Sequence, residues 1–397
     1  MKPVFKLLFA IIISLQFPLT CEITDWQKNQ LQSELEGMDQ KIPHQREIRA
    51  AYLSIKDIVT KGCNSLRIYH VEIQEDQSIY IDGQNIEQLS HELSLLIRKL
   101  REWMPLPSCS FLYTRNGENL VKHNVLSHLK TIPILVGTKH LPTKAKQILF
   151  IEECSTVDRK STYYSWWDAS QVYRQVRQFR DQYLWSQKIP KLIWRGYLSD
   201  EMHSKNTSFQ GKCYLLSPRM ILHALTNVYP NLIDAKLTNL NVPTARQLNQ
   251  LDISSLFFPD KKNFNKIGVN GTIELNPRVN IESQLKYRYQ IALDGIQAAN
   301  PGYAWRLLSG CLVFKQESPY IQWFYAGLTP WVHYIPVKNF LEDLMPQLQW
   351  AVDHDADAEQ IGRNSKEFAE NYLDLDKFME QAHFVIEEYA KLQKQAI

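Results

Sequence analysis

The chain has 397 residues, of which 44% are hydrophobic and 22% charged, values typical of a globular protein with a real core and room for two ordinary domains. Its net charge of +3 is too small to indicate nucleic acid as a partner, and no block of basic residues stands out. The 10 tryptophans and 19 tyrosines suit a packed core, and they equally suit stacking against sugar rings.

The N-terminus has the layout of a targeting segment. Lys2 and Lys6 flank the start of an apolar stretch that ends near Thr20. This arrangement predicts a secretory signal over residues 1–21, too short for an ordinary membrane span. Because the small residues that usually mark a cleavage site are missing, an uncleaved N-terminal anchor stays open as an alternative. We therefore expect an exported protein, in a periplasm or in the ER lumen, with membrane association through the N-terminus left open.

The cysteines are scattered along the chain and include no CxxC pair, so the sequence argues against a zinc site. They are Cys21, Cys63, Cys109, Cys154, Cys213 and Cys311. Export would permit disulfides, but the spacing does not determine a pairing.

The first half of the chain alternates between strand and helix patterns. The pattern predicts helix over 25–60 and 86–103, and strands over 65–73, 78–83, 110–114, 132–136 and 147–151. This alternation is typical of an α/β domain, which we place at residues 22–185.

The second half repeats this alternation and predicts another α/β domain, over residues 186–340. Its strands are predicted at 191–194, 231–235, 287–293, 311–314 and 330–337, with a helix at 218–228. The chain then reads as helical to its end, and we expect these C-terminal helices, residues 341–397, to pack back on the N-terminal domain.

The stretch from Asp294 to Ser318 contains the strongest chemical signal. Asn300 is a good N-cap, Pro301 suits a first helical position and Gly310 suits a helix end, so the sequence predicts a short helix over 301–309. In a strand–loop–helix–strand unit, the start of such a helix faces the carboxyl edge of the sheet, where anions bind.

Two arginines would add positive charge at that edge. Arg306 lies in the predicted helix and Arg195 follows another strand of the same half, so together they suit a diphosphate. The alternative is that Arg306 pairs with a carboxylate between helices and Arg195 lies on a surface loop. Spacing leaves both interpretations open, because neither GxGxxG nor a P-loop is present.

Four stretches, in order, resemble the Rumi-type glycosyltransferases over roughly residues 185–395. This family includes protein O-glucosyltransferases, fungal capsule-associated xylosyltransferases and bacterial lipopolysaccharide-type relatives. The stretches are KIPKLIWRG (188–196), SPRM (217–220) with LIDA (232–235), KYRYQ (286–290) with Asp294-Gly295, and the segment from PGYAWRLLSG (301–310) to PWVHYIPVK (330–338).

The resemblance implies an α/β fold of GT-B architecture, with two facing Rossmann-like domains. It further implies a UDP-sugar donor, such as UDP-glucose or UDP-xylose, inversion at the anomeric carbon, no required metal and no other cofactor. In that picture arginines and N–H groups stabilise the leaving diphosphate. The residues that it places at the nucleotide sugar are Arg195, Gly196, Asp294, Gly295, Arg306, Ser309, Glu317 and Ser318.

The general base is where this chain departs from the family. An inverting transfer needs a group that takes the proton of the acceptor hydroxyl. The family has an aspartate just after a strand of the N-terminal domain, whereas the matching loop here, residues 115–119, reads RNGEN. Glu118 is one carboxylate candidate and Asp168, in SWWD (165–168), is another; each is equally explained as a solvated loop residue or an N-cap.

A second departure follows Trp-Arg-Gly, where Tyr197 to Asp200 replace the small residues of many relatives and would narrow the sugar site. We expect His333 to be a structural histidine and the aromatic residues of 322–325 to pack in the core.

The sequence thus supports an exported or anchored glycosyltransferase whose acceptor is a glycan, a lipopolysaccharide sugar or a protein hydroxyl. The alternative is a nucleotide-sugar-binding protein on the same fold with impaired catalysis. A hydrolase finds little support, because the sequence has no GxSxG motif and no cluster of metal ligands.

Overall fold

The computed structural model describes residues 23–36, 42–62, 67–90, 92–117, 129, 132–141, 147–151, 169–198, 205–209, 212–240, 276–295, 297–299 and 301–394. The helices are α1 (Asp25–Glu36), α2 (Gln45–Gly62), α3 (Glu92–Trp103), α4 (Ala169–Phe179), α5 (Pro218–Val228), α6 (Ile281–Leu285), α7 (Gly302–Leu308), α8 (Leu344–Asp353), α9 (Asp355–Tyr372) and α10 (Leu375–Lys394). The strands are β1 (Tyr69–Ile73), β2 (Ile79–Ile81), β3 (Gln84–Asn85), β4 (Cys109–Asn116), β5 (Ile134–His140), β6 (Gln147–Leu149), β7 (Ile189–Leu198), β8 (Lys205–Phe209), β9 (Lys212–Leu216), β10 (Ile233–Leu240), β11 (Tyr287–Ala292), β12 (Leu312–Gln316), β13 (Tyr320–Ile321) and β14 (Ile335–Val337).

The N-terminal sheet is mixed. Its order is β13-β5-β4-β1-β2-β3, with β6 beside β5. Strands β4, β5 and β6 run parallel, whereas β1 is antiparallel to both β2 and β4. The tight turn between β2 and β3 takes Asp82 and Gly83 into the left-handed region, at φ 54° and 83°. This meander gives the sheet an antiparallel half, in contrast to a purely parallel Rossmann-like sheet.

The C-terminal sheet is parallel throughout, in the order β10-β7-β11-β12-β14. Helix α5 packs with Tyr289 and Ile291, on one face, whereas α7 packs with Ala292 and Val313, on the other. The chain therefore leaves β7 and β11 in opposite directions and on opposite faces. The carboxyl ends of these two strands form a topological switch point, which is where open α/β sheets bind their ligands.

Short segments join the two sheets. Strand β13, which follows β12, pairs antiparallel with β5, and Leu141 N–H donates to Pro319 O at 2.7 Å. Helix α10 lies against β4, where Gln393 donates to Ser110 O at 3.0 Å and accepts from Ser110 N–H at 2.9 Å. The α/β class is confirmed, and two units, each around its own sheet, agree with the GT-B plan. The domain limits stay a prediction.

Two predicted elements differ from the structure. The helix expected over 25–60 is divided into α1 and α2, and the strand expected over 330–337 is shortened to β14. Trp331 adopts φ 64°, and the N–H groups of Val332 and His333 donate to Thr329 O. These bonds form a turn just before β14, so the prediction that His333 lies in mid-strand was wrong.

Across the described residues, no helix is both long enough and apolar enough to cross a membrane. The predicted signal, residues 1–21, lies outside the described part of the chain.

We expect Gln393→Ala to destabilise the protein by about 2 kcal/mol, because the buried backbone groups of Ser110 and the half-buried carbonyl of Pro43 would lose their partner. Urea unfolding measures this change. Gln349→Ala, on the exposed side of α8, serves as the control, since its bond joins only Asp353. Equal midpoints for the two variants would contradict the contribution of this contact.

Candidate functional site

Asp294 anchors the loop that leaves β11. Its side chain is completely buried and accepts from Lys315 Nζ at 2.9 Å, from Ala299 N–H at 2.7 Å and from the Ser318 hydroxyl. Its own N–H donates to Gln316 Oε1 at 2.9 Å. Lys315, Gln316 and Ser318 belong to β12 or the loop after it, and Ala299 belongs to the loop between β11 and α7. The carboxylate of Asp294 therefore joins the ends of β11 and β12 through a buried ion pair.

Arg306 lies on α7 and is buried, with 7% of its surface exposed. One terminal nitrogen, Nη1, donates to Gly302 O at 2.7 Å, and the guanidinium carbon lies 4.4 Å from the centre of the Trp305 ring. Its Nε is buried and has no hydrogen-bond partner among the described residues. Among the same residues, no carboxylate lies within ion-pair distance of Arg306, so the expected alternative of a carboxylate partner finds no support there.

The position of the guanidinium depends on Gly302. A Cβ at residue 302 would lie 3.1 Å from Arg306 Nη1, a contact that is tighter than most. Without a side chain at 302, the guanidinium folds back along α7 toward its first turn. Because α7 follows β11, that turn lies at the carboxyl edge of the parallel sheet.

A second arginine, Arg219, lies at the switch point itself. It belongs to the first turn of α5, which begins after the N-cap Ser217. Its three guanidinium nitrogens donate to carbonyls at the ends of two strands: Tyr197 O at 2.7 Å, in the last residues of β7, and Leu293 O at 3.0 Å and Asp294 O at 3.1 Å, just after β11. The guanidinium therefore joins the carboxyl ends of β7 and β11.

The sequence pattern did not predict a site role for Arg219, although this residue belongs to the SPRM stretch (217–220) that resembles the family. Position 219 is in a helix, and nothing in the local pattern shows that its side chain reaches back over the sheet. The signal that would have found it is topological: a basic residue in the first turn of a helix that covers one face of a switch point.

The positive charges of the two arginines repel each other, which makes the charged form of Arg306 less stable. Burial, followed by the charge of Arg219, lowers the pKa of Arg306 to about 9. A buried cation beside another cation is unfavourable unless an anion joins them. A phosphate group offers oxygens that match the fork of a guanidinium, and two arginines suit a diphosphate. The arrangement thus favours an anionic ligand at this edge.

Arg195 is placed differently from the expectation. Its Nη2 contacts both carboxylate oxygens of Asp234, at 2.9 and 3.0 Å, and its Nη1 donates to Asp234 O at 2.6 Å. Position 195 pairs with Lys236 of β10, so the side chain reaches back along the sheet toward its amino edge. Because Asp234 already balances its charge, Arg195 is a weaker candidate for the diphosphate than Arg219.

Several predicted site residues have structural partners. The hydroxyl of Ser309 donates to Arg306 O at 2.5 Å and accepts from Cys311 N–H at 3.1 Å, which closes the end of α7. Gly295 is buried and its N–H donates to Gln297 O at 2.9 Å. Gly196 lies under the indole of Trp194.

Glu317 and Ser318 follow β12 at the same edge. Glu317 is exposed and its N–H donates to Val337 O at 2.7 Å, whereas the hydroxyl of Ser318 donates a hydrogen bond to Asp294.

Glu118 and Asp168, the two carboxylate candidates for the base, lie outside the described residues.

His333 and the 322–325 segment have packing contacts. His333 Nδ1 accepts from Thr329 N–H at 2.9 Å, its ring lies 5.4 Å from that of Phe368, and burial lowers its pKa. Trp323 and Phe324 are buried in the larger core. These contacts fit a structural part for His333 and its aromatic neighbours.

Comparison with known proteins gives one family and several relatives. The family model described as Glycosyl transferase family 90 matches residues 163–397. Protein O-glucosyltransferase 2 of Danio rerio is 32% identical over 210 residues, which cover 53% of this chain and 34% of the relative. Protein O-glucosyltransferase 3 of Mus musculus is 30% identical over the same length, with the same coverage. This chain thus spans about a third of the length of these relatives.

Solved structures show only distant likeness. Anabaena Alr3699/HepE, solved in complex with UDP and glucose, aligns with a TM-score of 0.40 and 9% identity over 73% of each chain. The C-terminal domain of the group 1 glycosyl transferase LpcC from Francisella tularensis aligns with a TM-score of 0.31 and 11% identity over 52% of this chain and 98% of that domain.

The Arg195–Asp234 pair generates a prediction about stability. We expect Asp234→Asn to lower the free energy of unfolding by roughly 1–3 kcal/mol, because Arg195, whose side chain is 11% exposed, would lose its charge partner. Urea unfolding measures this loss, with Asp353→Asn on the exposed surface of α8 as the control. The affinity for a nucleoside diphosphate should equal that of the wild type. A large loss of affinity would instead show that Arg195 contributes to diphosphate binding.

Proposed function

Because the chain belongs to glycosyl transferase family 90, we propose that it is a glycosyltransferase that moves a sugar from a UDP-sugar to a hydroxyl group of an acceptor. The reaction breaks the bond between the anomeric carbon and the β-phosphate oxygen, and it forms a bond from that carbon to the acceptor oxygen. UDP leaves with the electron pair of the broken bond, and a general base takes the acceptor proton.

The buried guanidinium of Arg306, beside Arg219, is the observation that supports this proposal best. As the glycosidic bond breaks, negative charge develops on the diphosphate and positive charge on the sugar ring. Fixed donors that face the leaving group stabilise this transition state without reorganising during the reaction. Arg306 and Arg219 supply that charge, and we propose that no metal ion is needed.

The donor and acceptor follow from the relatives. Those matched here are named protein O-glucosyltransferases, which favours UDP-glucose as the donor and a protein hydroxyl as the acceptor. UDP-xylose is the second donor and a glycan or lipopolysaccharide sugar the second acceptor. The ring of Tyr197, beside the carbonyl that binds Arg219, would restrict the size of the transferred sugar.

We propose that one carboxylate, from Glu118 or Asp168, is the base, and that inversion results from its direct activation of the acceptor. We also propose export, from the apolar segment that ends near Thr20. The alternative function, nucleotide-sugar binding with impaired turnover, is favoured by the loop RNGEN, which lacks the family's aspartate.

We expect Arg306→Met to abolish UDP binding and yet to raise the free energy of unfolding by roughly 1–2 kcal/mol in the absence of ligand, because methionine fills the buried site without a charge to desolvate. Calorimetry with UDP and urea unfolding give the two quantities.

Arg363→Met is the matched control, since Arg363 lies on the surface of α9 with 64% of its side chain exposed. It should change neither quantity appreciably. A destabilised Arg306→Met variant that still binds UDP would identify Arg306 as a structural residue and remove it from the proposed site.

The base is tested by turnover. We expect either Glu118→Gln or Asp168→Asn to reduce UDP release in the presence of acceptor by a factor of roughly 10²–10⁴, while UDP affinity is retained, because each replacement keeps the size and removes the proton acceptor. The other substitution then serves as the control. If both variants turn over as the wild type does, neither carboxylate is the base.

A further inference from the structure

Gly196 lies where a side chain would collide with Trp194. A Cβ at residue 196 would approach Cζ2, Cη2 and Cε2 of that indole to 2.4, 2.8 and 3.0 Å. Residues two apart on a strand point to the same face, so the benzo ring of Trp194 lies along β7 over residue 196. Real Cβ atoms do not approach other atoms so closely, and the ring would have to move to admit one.

The same indole lies under Arg219. The guanidinium carbon of Arg219 is 5.7 Å from the centre of the Trp194 ring, within the range of a cation–π contact. The indole is buried, with 3% exposed, and Arg219 is half-buried, so this contact is partly shielded from water, which strengthens it. The face of the ring contacts the guanidinium, and the carbonyls of Tyr197, Leu293 and Asp294 accept hydrogen bonds from its nitrogens.

These contacts form a chain from a glycine to the anion site. The missing side chain at 196 sets the position of the Trp194 ring, and the ring sets the position of Arg219. Arg219 in turn lies close enough to Arg306 to lower its pKa. The resemblance places Gly196 at the nucleotide sugar, whereas in this structure the indole of Trp194 occupies the space beside Gly196 where a side chain would lie.

We propose that Gly196 and Trp194 are positioning residues, which act on the nucleotide diphosphate only through Arg219. This inference rests on the proposed function and adds a distinct point to it. The requirement for glycine at 196 comes from the indole and disappears when the indole is replaced by a smaller ring.

The test is UDP affinity, measured by calorimetry on the full-length protein. Gly196→Ala should weaken binding about tenfold, the scale that loss of a partly desolvated cation–π contact supports. Two double variants then separate crowding from positioning. Trp194→Phe and Trp194→Leu both remove the benzo ring that collides with a Cβ, but only phenylalanine keeps an aromatic face under Arg219.

Combined with Gly196→Ala, Trp194→Phe should therefore recover most of the wild-type affinity, whereas Trp194→Leu should still bind UDP weakly.

Gly327, which lies outside the proposed site, gives the matched control. A Cβ at Gly327 would lie 2.8 Å from the rings of both Trp26 and Phe368. Gly327→Ala should thus destabilise the fold through similar crowding and leave UDP affinity unchanged.

Unchanged affinity in Gly196→Ala, or equal affinity of the two double variants, would overturn the inference. If Gly196→Ala does not fold, the single variants decide: Trp194→Leu should bind about tenfold more weakly than Trp194→Phe, and equal affinities would overturn it. A folded wild type that fails to bind UDP would instead defeat the proposed function, so the two failures are distinguishable.

Discussion

The buried positive charge of Arg306, at the carboxyl edge of the C-terminal sheet, is the constraint on which the proposed site depends. Most of the buried charge in this region is matched, as Asp294 is by Lys315 and Arg195 largely by Asp234. Arg306 differs, because its Nε has no partner among the described residues and the charge that lowers its pKa, after burial, is another cation, Arg219. A fold retains such an arrangement at a cost in stability, and an anion would offset that cost.

Neutral contacts hold this charge in place. Gly302 gives the guanidinium of Arg306 room, Ser309 closes the end of its helix and the ring of Trp305 covers it. Arg219 is held by carbonyls at the carboxyl ends of β7 and β11, on both sides of the switch point. Because these contacts are all made within the protein, both guanidiniums are held in place without a ligand, as the proposed stabilisation of a leaving group requires.

The sequence predicted the elements more fully than it predicted the site. Helix α5 and strand β11 lie close to where the hydrophobic pattern placed them, since that pattern reports burial, which is a local property of each element. The turn at Trp331 to His333 was missed because the apolar residues there resemble a strand, whereas φ 64° at Trp331 and the two hydrogen bonds to Thr329 O form a turn. Domain limits and the general base stay predictions.

Prediction of the site residues requires the strand order and register, which the sequence does not show directly. Arg306 is predicted from the sequence as a site residue because it stands alone within an apolar helix. The sequence pattern assigned Arg195 to the same place, but the pairing of β7 with β10 brings Asp234 within reach of that side chain. It overlooked Arg219, since only the strand order β10-β7-β11 reveals that α5 begins over the switch point.

The pairing of β13 with β5 has a mechanical consequence. Two residues after Ser318, the backbone leaves the sheet that carries the arginines and becomes an edge strand of the opposite one. Because Ser318 is itself bonded to Asp294, a relative rotation of the two lobes would strain a tether only a few residues long. Lobe opening would therefore pull on Asp294 and on the loop that leaves β11, at the rim of the proposed anion site.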